Sequence, residues 1–298
     1  MKPSFYIENL GCAKNQVDAE RMYAALEAAG HSYSSSPESA DIVIINSCGF
    51  IAPAKEESID VAIEFRNRFP DKRLVMSGCL SERYADDLAA GMSELDAITG
   101  NRNPESIVEI VADMLAGGRP VHSGEAPYGS SAGTRAGHKA WRRTRLFSLP
   151  GSAFVKVSEG CDNRCAFCAI PMIRGNMRSR NVADVLEEIK GLLDRGIFEI
   201  NLVAQDLASF GRDRRRGSDD PDALRRLMDG IVSLQGEFWV RPLYIYPEHF
   251  PDWLLELCAY DSRVLRYFDI PMQQADRSVL SSMGRPGSYD RYLELVHR

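Results

Sequence analysis

Short apolar runs alternate with amphipathic stretches along almost the whole chain, and few architectures accommodate that rhythm. In the first part, runs at residues 5–7, 42–45 and 74–76 are separated by helical patterns over 17–29 and 54–69, with a last helix expected over 104–115. Strand, helix and strand in that order build parallel βαβ units, because a parallel partner is reached only by crossing a face of the sheet. The first helix places Met22, Ala25, Leu26 and Ala29 on one side and stops at Gly30, a residue free to adopt the left-handed turn that ends helices. The last helix carries Ile107, Val108, Val111 and Leu115 in the same way. The expected fold of residues 1–120 is an N-terminal open parallel α/β sheet domain.

The alternation resumes at residue 152. Strands are expected over 154–157, 199–204, 238–245 and 267–270, and helices over 182–195, 221–234 and 252–259. Asn181 can cap the first of these helices, whose buried stripe is Val182, Val185, Leu186, Ile189, Leu192 and Leu193, and Gly196 ends it. Repeats of this spacing predict a β/α barrel over 152–298, partial because only four strands can be counted, with its site at the strand C-termini. Residues 121–151 differ in character: Gly and Ser are frequent, and Arg135, Lys139, Arg142, Arg143 and Arg145 lie among them. They read as an inter-domain linker whose charges form either a solvated run or a basic surface for RNA or a ribosome. The same two readings apply to Arg212, Arg214, Arg215 and Arg216.

With 298 residues the chain has room for two such domains, and 44% hydrophobic with 26% charged residues excludes a disordered or fibrous protein. A formal charge of −6 excludes a surface given over wholly to nucleic acid. No apolar run approaches the ~18 residues that a membrane span needs, and the start at Met1-Lys2-Pro3 lacks the apolar core of a signal peptide. A cytoplasmic protein with no membrane partner is expected. Seven cysteines in a chain without an export signal point to a reducing compartment, where clustered thiols more often bind metal or do chemistry than pair.

Three of the seven follow strands of the first domain, each beside a glycine: Gly11-Cys12, Cys48-Gly49 and Gly78-Cys79. Loops converge on ligands at the C-terminal edge of an open parallel sheet, so three thiolates could meet there. The alternative is three separate buried cysteines, a common fate of free Cys. The densest set lies just after the first strand of the second domain, in Gly160-Cys161-Asp162-Asn163-Arg164-Cys165-Ala166-Phe167-Cys168. Three thiolates in one loop can bind three irons of a cubane cluster and leave the fourth open to a substrate. The competitor is a structural zinc, which needs a fourth ligand; the nearest candidates, His138 and His249, are distant in sequence. Cys258, inside the apolar run 254–258, reads as core.

The spacing Cys-x-x-x-Cys-x-x-Cys, with Phe167 before the last cysteine, resembles the signature of the radical S-adenosylmethionine superfamily. Its continuation through Ala169-Ile170-Pro171, Arg174-Gly175 and Arg178-Ser179-Arg180 is similar to the methylthiotransferase branch. Within that branch, Leu10-Gly11-Cys12-Ala13-Lys14-Asn15, Asn46-Ser47-Cys48-Gly49-Phe50-Ile51, residues 54–58, Asp269-Ile270-Pro271-Met272-Gln273 and Arg285-Pro286-Gly287 resemble the members that modify a ribosomal protein more than those that modify tRNA. The resemblance implies two 4Fe-4S clusters. One, held by Cys161, Cys165 and Cys168, would bind S-adenosylmethionine and yield a 5′-deoxyadenosyl radical; the other, held by Cys12, Cys48 and Cys79, would supply the methylated sulfur. The implied substrate is the β-carbon of an aspartate in small-subunit ribosomal protein number twelve, with tRNA as the alternative substrate and an electron donor such as a flavodoxin as a further partner. Both clusters would have to face one cavity. Phe167, through its backbone, Gln205 and Gln273 are implied to line the S-adenosylmethionine pocket; each is otherwise a packing aromatic or a strand-end polar group. Members of the branch continue through a complete barrel into a small C-terminal β-barrel (TRAM) domain. Against that pattern, the last residues, Leu295-Val296-His297-Arg298, imply an incomplete barrel and no TRAM domain, and a truncated non-catalytic iron–sulfur protein is the remaining alternative.

Overall fold

The computed structural model describes residues 2–124, 143–214 and 217–298. The chain divides into two compact units, Met1–Phe147 and Ser148–Arg298.

Unit one runs β1 (Ser4–Asn9), α1 (Ala13–Ala28), β2 (Ser32–Tyr33), β3 (Ile42–Ser47), α2 (Ala52–Arg68), β4 (Arg73–Gly78), α3 (Cys79–Gly91), β5 (Ala97–Thr99), α4 (Ile107–Leu115) and β6 (Val121–His122). Its sheet has the order β2-β1-β3-β4-β5-β6, and every neighbouring pair is parallel. The order reverses at β1, so the loops after β1 and β3 leave on either side of a switch point, the usual ligand crevice of such sheets. All six residues of β3 are buried. Ile42 and Ile44 pack on one face with Phe5, Met22 and Val111, while Val43 and Ile45 pack on the other with Phe65, Leu74 and Leu88. A central strand covered on both faces reads as an unbroken apolar run, as Ile42-Val43-Ile44-Ile45 does.

The expected elements of this unit form with shifted ends. Helix α1 starts at Ala13 instead of residue 17, because Lys14, Asn15 and Asp18 are buried polar residues that interrupt the apolar pattern. Gly30 follows with a φ of 90°, as the helix-ending role requires. The helix expected over 104–115 forms as a 3-10 turn, Pro104–Ser106, leading into α4. Strands β2, β5 and β6 have only two or three residues and leave no periodicity to read.

Of the basic residues assigned to the linker, Arg135, Lys139 and Arg142 lie outside the described residues. The expectation of a solvated run is corrected for Arg143, while Arg145 is exposed. Arg143 is 2% exposed and ion-paired with Glu20, and the Arg145 guanidinium lies 4.5 Å above the Tyr33 ring. Arg143 belongs to the packing of unit one, and Arg145 lies over its surface aromatics.

Unit two runs β7 (Ser152–Lys156), β8 (Ser158–Glu159), α5 (Ile170–Ile173), β9 (Arg178–Ser179), α6 (Val182–Leu193), β10 (Glu199–Val203), α7 (Ala223–Val232), β11 (Trp239–Pro242), α8 (Trp253–Tyr260), α9 (Arg277–Ser282) and α10 (Tyr289–His297). Among the described residues a parallel sheet forms in the order β11-β10-β7, and β8 pairs antiparallel with β9. The Asn181 side chain caps α6 by accepting from Ala183 N–H at 2.9 Å. Two strand expectations are corrected. The strand over 238–245 stops at Pro242, which has no N–H to give, and Tyr244 then adopts a φ of 62° that turns the chain away. Residues 267–270 therefore find no straight partner: only a parallel bridge between Val240 and Val264 and one bond from Ile245 N–H to Asp269 O, 3.0 Å, connect this segment to β11 and the turn after it.

Candidate functional site

Each three-cysteine set lies on the C-terminal edge of its own parallel sheet. In unit one Cys12 is the N-cap of α1, Cys48 follows β3 and Cys79 opens α3. Cys12 and Cys79 thus stand at helix N-termini, where the helix dipole favours a thiolate. Asn15 ties those two together, its Oδ1 lying 3.8 Å from Cys12 Sγ and 3.4 Å from Cys79 Sγ, while its Nδ2 donates to Ser47 O at 2.9 Å. The loop that carries Cys48 reaches Cys79 through the next residue. Gly49 packs so closely on Cys79 that a Cβ there would stand 2.7 Å from the Cys79 carbonyl carbon. Gly78, at a φ of 105°, leaves equally little room, since a Cβ would stand 2.4 Å from Ser47 O. These glycines are what allow the strand-end loops to close on one spot.

The second set occupies the irregular segment between β8 and α5. It begins at Gly160, whose φ is 72° and where a Cβ would lie 2.3 Å from Asn176 O. The loop is pinned by three bonds: Cys161 N–H to Gly175 O at 3.1 Å, Cys168 N–H to Cys165 O at 3.1 Å and Ala166 N–H to Met283 O at 2.9 Å. All three thiols are half-buried. Burial pushes the Cys161 thiol up to about 12, and charge repulsion from Asp206, Cys168 and Cys165 acts in the same direction. Cys168 is likewise raised, by burial and then by Cys165. A cationic centre would favour the thiolates of Cys161 and Cys168, and a cubane, whose ligands serve different irons, suits three cysteines in one loop. A zinc site is less well served. No group of three or more His, Cys, Asp or Glu side chains among the described residues is arranged to hold a metal ion, and His138 lies outside them.

A buried ionic trio underlies this loop. Glu159, the residue before Gly160, accepts from Lys156 Nζ at 2.5 Å and from Arg174 Nη1 at 2.8 Å, and all three side chains are at most 5% exposed. Burial opposes the carboxylate charge, but Arg174 and Lys156 outweigh it and hold Glu159 far below the usual carboxylate range. Arg174 in turn precedes Gly175, whose carbonyl anchors Cys161.

Beyond β10 the chain presents Gln205 and Asp206. Gln205 Nε2 is buried without a hydrogen-bond partner. Asp206 accepts from Asn163 Nδ2 at 3.1 Å, Ser209 Oγ at 2.6 Å and Tyr246 N–H at 3.3 Å, besides its contact with His249. Burial opposes its charge, yet the bonds from His249, Ser209 and Asn163 hold its carboxyl below the usual range. A cavity of about 360 Å³ lies here, bounded by Cys161, Asn163, Asp206, Arg212 and His249 among others. Phe167 is 48% exposed on the cysteine loop, and Gln273 is exposed in a turn with a φ of 68°. Cys258 is buried in α8, as expected.

Several further side chains stand around these cysteines. Asn15 stands one helical turn after Cys12, and Asn101 follows β5, where its Nδ2 reaches Cys79 Sγ at 3.1 Å. The Tyr246 hydroxyl is 3.9 Å from Cys165 Sγ, with the Arg285 guanidinium 4.0 Å above its ring. Asn15 and Arg285 fall in segments that carry the family resemblance, a strand-end position was the available signal for Asn101 and Asp206, and Tyr246 gave none.

Residues 4–100 match the uncharacterized protein family UPF0004, and residues 155–298 match the radical SAM superfamily. Curated relatives include the ribosomal protein uS12 methylthiotransferases RimO of Treponema denticola, 38% identical over 96% of this chain and 62% of the relative, and of Heliobacterium modesticaldum, 38% identical over 98% and 61%. That of Syntrophomonas wolfei is 41% identical over 93% and 61%. The chain spans about three fifths of the length of these relatives. Among solved structures, the radical S-adenosylmethionine methyltransferase TsrM from Kitasatospora setae shares the fold at a TM-score of 0.59 and 16% identity, covering 100% of this chain and 64% of that one. The cobalamin-dependent S-adenosylmethionine radical enzyme OxsB does so at 0.61 and 12%, over 99% and 47%. With a UPF0004 region followed by a radical SAM region, the chain is similar along nearly its whole length to the RimO-type radical S-adenosylmethionine methylthiotransferases.

Proposed function

We propose that this chain is a radical S-adenosylmethionine methylthiotransferase that adds a methylthio group to the β-carbon of an aspartate in ribosomal protein uS12. The observation that carries this is the pair of three-cysteine sets, each gathered at the C-terminal edge of its own parallel sheet. Cys161, Cys165 and Cys168 would hold one 4Fe-4S cluster, and Cys12, Cys48 and Cys79 a second. Bound there, a cluster with an open iron and S-adenosylmethionine supplies the one-electron cleavage that yields a 5′-deoxyadenosyl radical. The residues of unit two do the positioning. The unpartnered Gln205 amide is the first candidate to bind S-adenosylmethionine, with Phe167 and Gln273 as further pocket residues, and Asp206 fixes Asn163 and hence the cysteine loop. In unit one the close packing of Gly49 on Cys79 and of Gly78 on Ser47 supports bringing the three strand-end loops together. A domain division at residues 1–120, 121–151 and 152–298, a cytoplasmic location and an electron donor such as a flavodoxin belong to the same proposal.

The test is a parallel assay of the anaerobically reconstituted, reduced chain with uS12 and with tRNA, reading 5′-deoxyadenosine release and products by mass spectrometry. Methylthiolated uS12 is expected. Methylthiolation of tRNA alone would move the substrate to the tRNA-modifying branch, and no release of 5′-deoxyadenosine would leave a non-catalytic iron–sulfur protein.

A further inference from the structure

We infer that Asn101 is a positioning residue for the cysteine set of unit one, acting through Cys79 to raise the reduction potential of the centre that set holds. This rests on the proposal that Cys12, Cys48 and Cys79 bind a cluster. Asn101 stands at the end of β5, the fourth strand to contribute to this edge after β1, β3 and β4. Its Nδ2 lies 3.1 Å from Cys79 Sγ, and the two residues are 3% and 5% exposed. An amide N–H directed at sulfur becomes a charge-assisted bond once that sulfur is a thiolate, and such bonds stabilise the reduced, more negative state of an iron–sulfur centre.

Two features show that this contact dominates the side chain's placement. Asn101 is anchored through its backbone, whose N–H donates to Glu82 Oε2 at 3.2 Å; Glu82 is fixed in turn by Arg102 at 2.8 Å and Gly124 N–H at 3.1 Å. Gly100 packs so closely on Glu82 that a Cβ there would collide with the carboxylate. The other end of the amide, Oδ1, is buried without a hydrogen-bond partner. A buried carbonyl oxygen left unpaired is unfavourable. The side chain keeps its N–H on Cys79 even so.

The experiment uses the full chain with Cys161, Cys165 and Cys168 replaced by Ala, so that any cluster signal comes from unit one. Asn101, Asn101→Leu and Asn101→Asp forms are reconstituted anaerobically with iron and sulfide. Iron is counted, and the midpoint potential is followed by electron paramagnetic resonance. About four irons per chain are expected, with a potential more negative in Asn101→Leu than in the Asn101 protein and more negative again in Asn101→Asp, where a carboxylate faces the sulfur. Full iron with unchanged potentials overturns the inference and leaves the cluster assignment standing. Iron lost from both variants but not from the Asn101 protein overturns it in favour of a purely structural role; if only one variant loses iron, the potential of the other decides. No iron in the Asn101 protein itself overturns the cluster assignment and the inference together.

Discussion

Replacing Glu159 by glutamine isolates the electrostatics beneath the Cys161 loop. The substitution keeps the shape of the side chain and removes the one negative charge between Lys156 Nζ and Arg174 Nη1, 2.5 and 2.8 Å away. With those side chains 1% exposed, two cations are left facing a neutral amide out of reach of water. Removing one partner of a buried ion pair costs about 3–5 kcal/mol, and the trio sets Glu159→Gln in that range. The assay is urea unfolding followed by tryptophan fluorescence in a Trp141→Phe background, which leaves Trp239 and Trp253 of unit two as reporters. The pH dependence has a definite sign. Because the folded pKa of Glu159 is depressed, its stabilisation is complete above the unfolded value of ~4.3 and fades as pH falls below it. The difference between the two proteins should therefore be full at pH 7 and shrink steadily below pH ~4. As a control, Asp220→Asn breaks the exposed pair with Arg226 and should change stability far less. A loss under about 1 kcal/mol at pH 7, the value typical of an exposed pair, or a loss that does not change with pH, would refute the reasoning.

Asp206→Ala leaves Asn163, Ser209 and the Tyr246 N–H without their buried acceptor; a loss of about 1–3 kcal/mol is expected, with faster amide hydrogen exchange across residues 161–165. Gly49→Ala forces a Cβ against the Cys79 backbone, so it should lower iron uptake by the cysteines of unit one while a chain lacking only that set still binds iron at the other; uptake equal to the unaltered protein would contradict the packing. Cys258→Ala should leave the iron count unchanged, since Cys258 is a buried residue of α8, and a reduced count would give it a ligand role.

The sequence carries the fold wherever burial is one-sided or complete. The apolar stripe and Asn181 cap of α6 and the doubly buried β3 are read directly from residue pattern. What cannot be read is anything made by residues far apart in the chain. Lys156 and Glu159 lie three apart, and charges inside an apolar strand hint at a buried partner, but Arg174 has no such mark. Asn101 reaches Cys79 across 22 positions and His249 reaches Asp206 across 43. Strand-end placement located both cysteine sets because it depends on local alternation alone. The same logic overran at residues 267–270, where Pro242 and the left-handed Tyr244 had already turned the partner strand aside.

Central to the proposed function is that both cysteine sets hold iron. Iron and sulfide counted per chain after anaerobic reconstitution test that directly, in the unaltered protein and in two variants, one with Cys12, Cys48 and Cys79 replaced by Ala and one with Cys161, Cys165 and Cys168 replaced. Two cubanes predict about eight irons in the first and about four in each variant. A count near four in the unaltered chain that does not fall when Cys12, Cys48 and Cys79 are removed would contradict it.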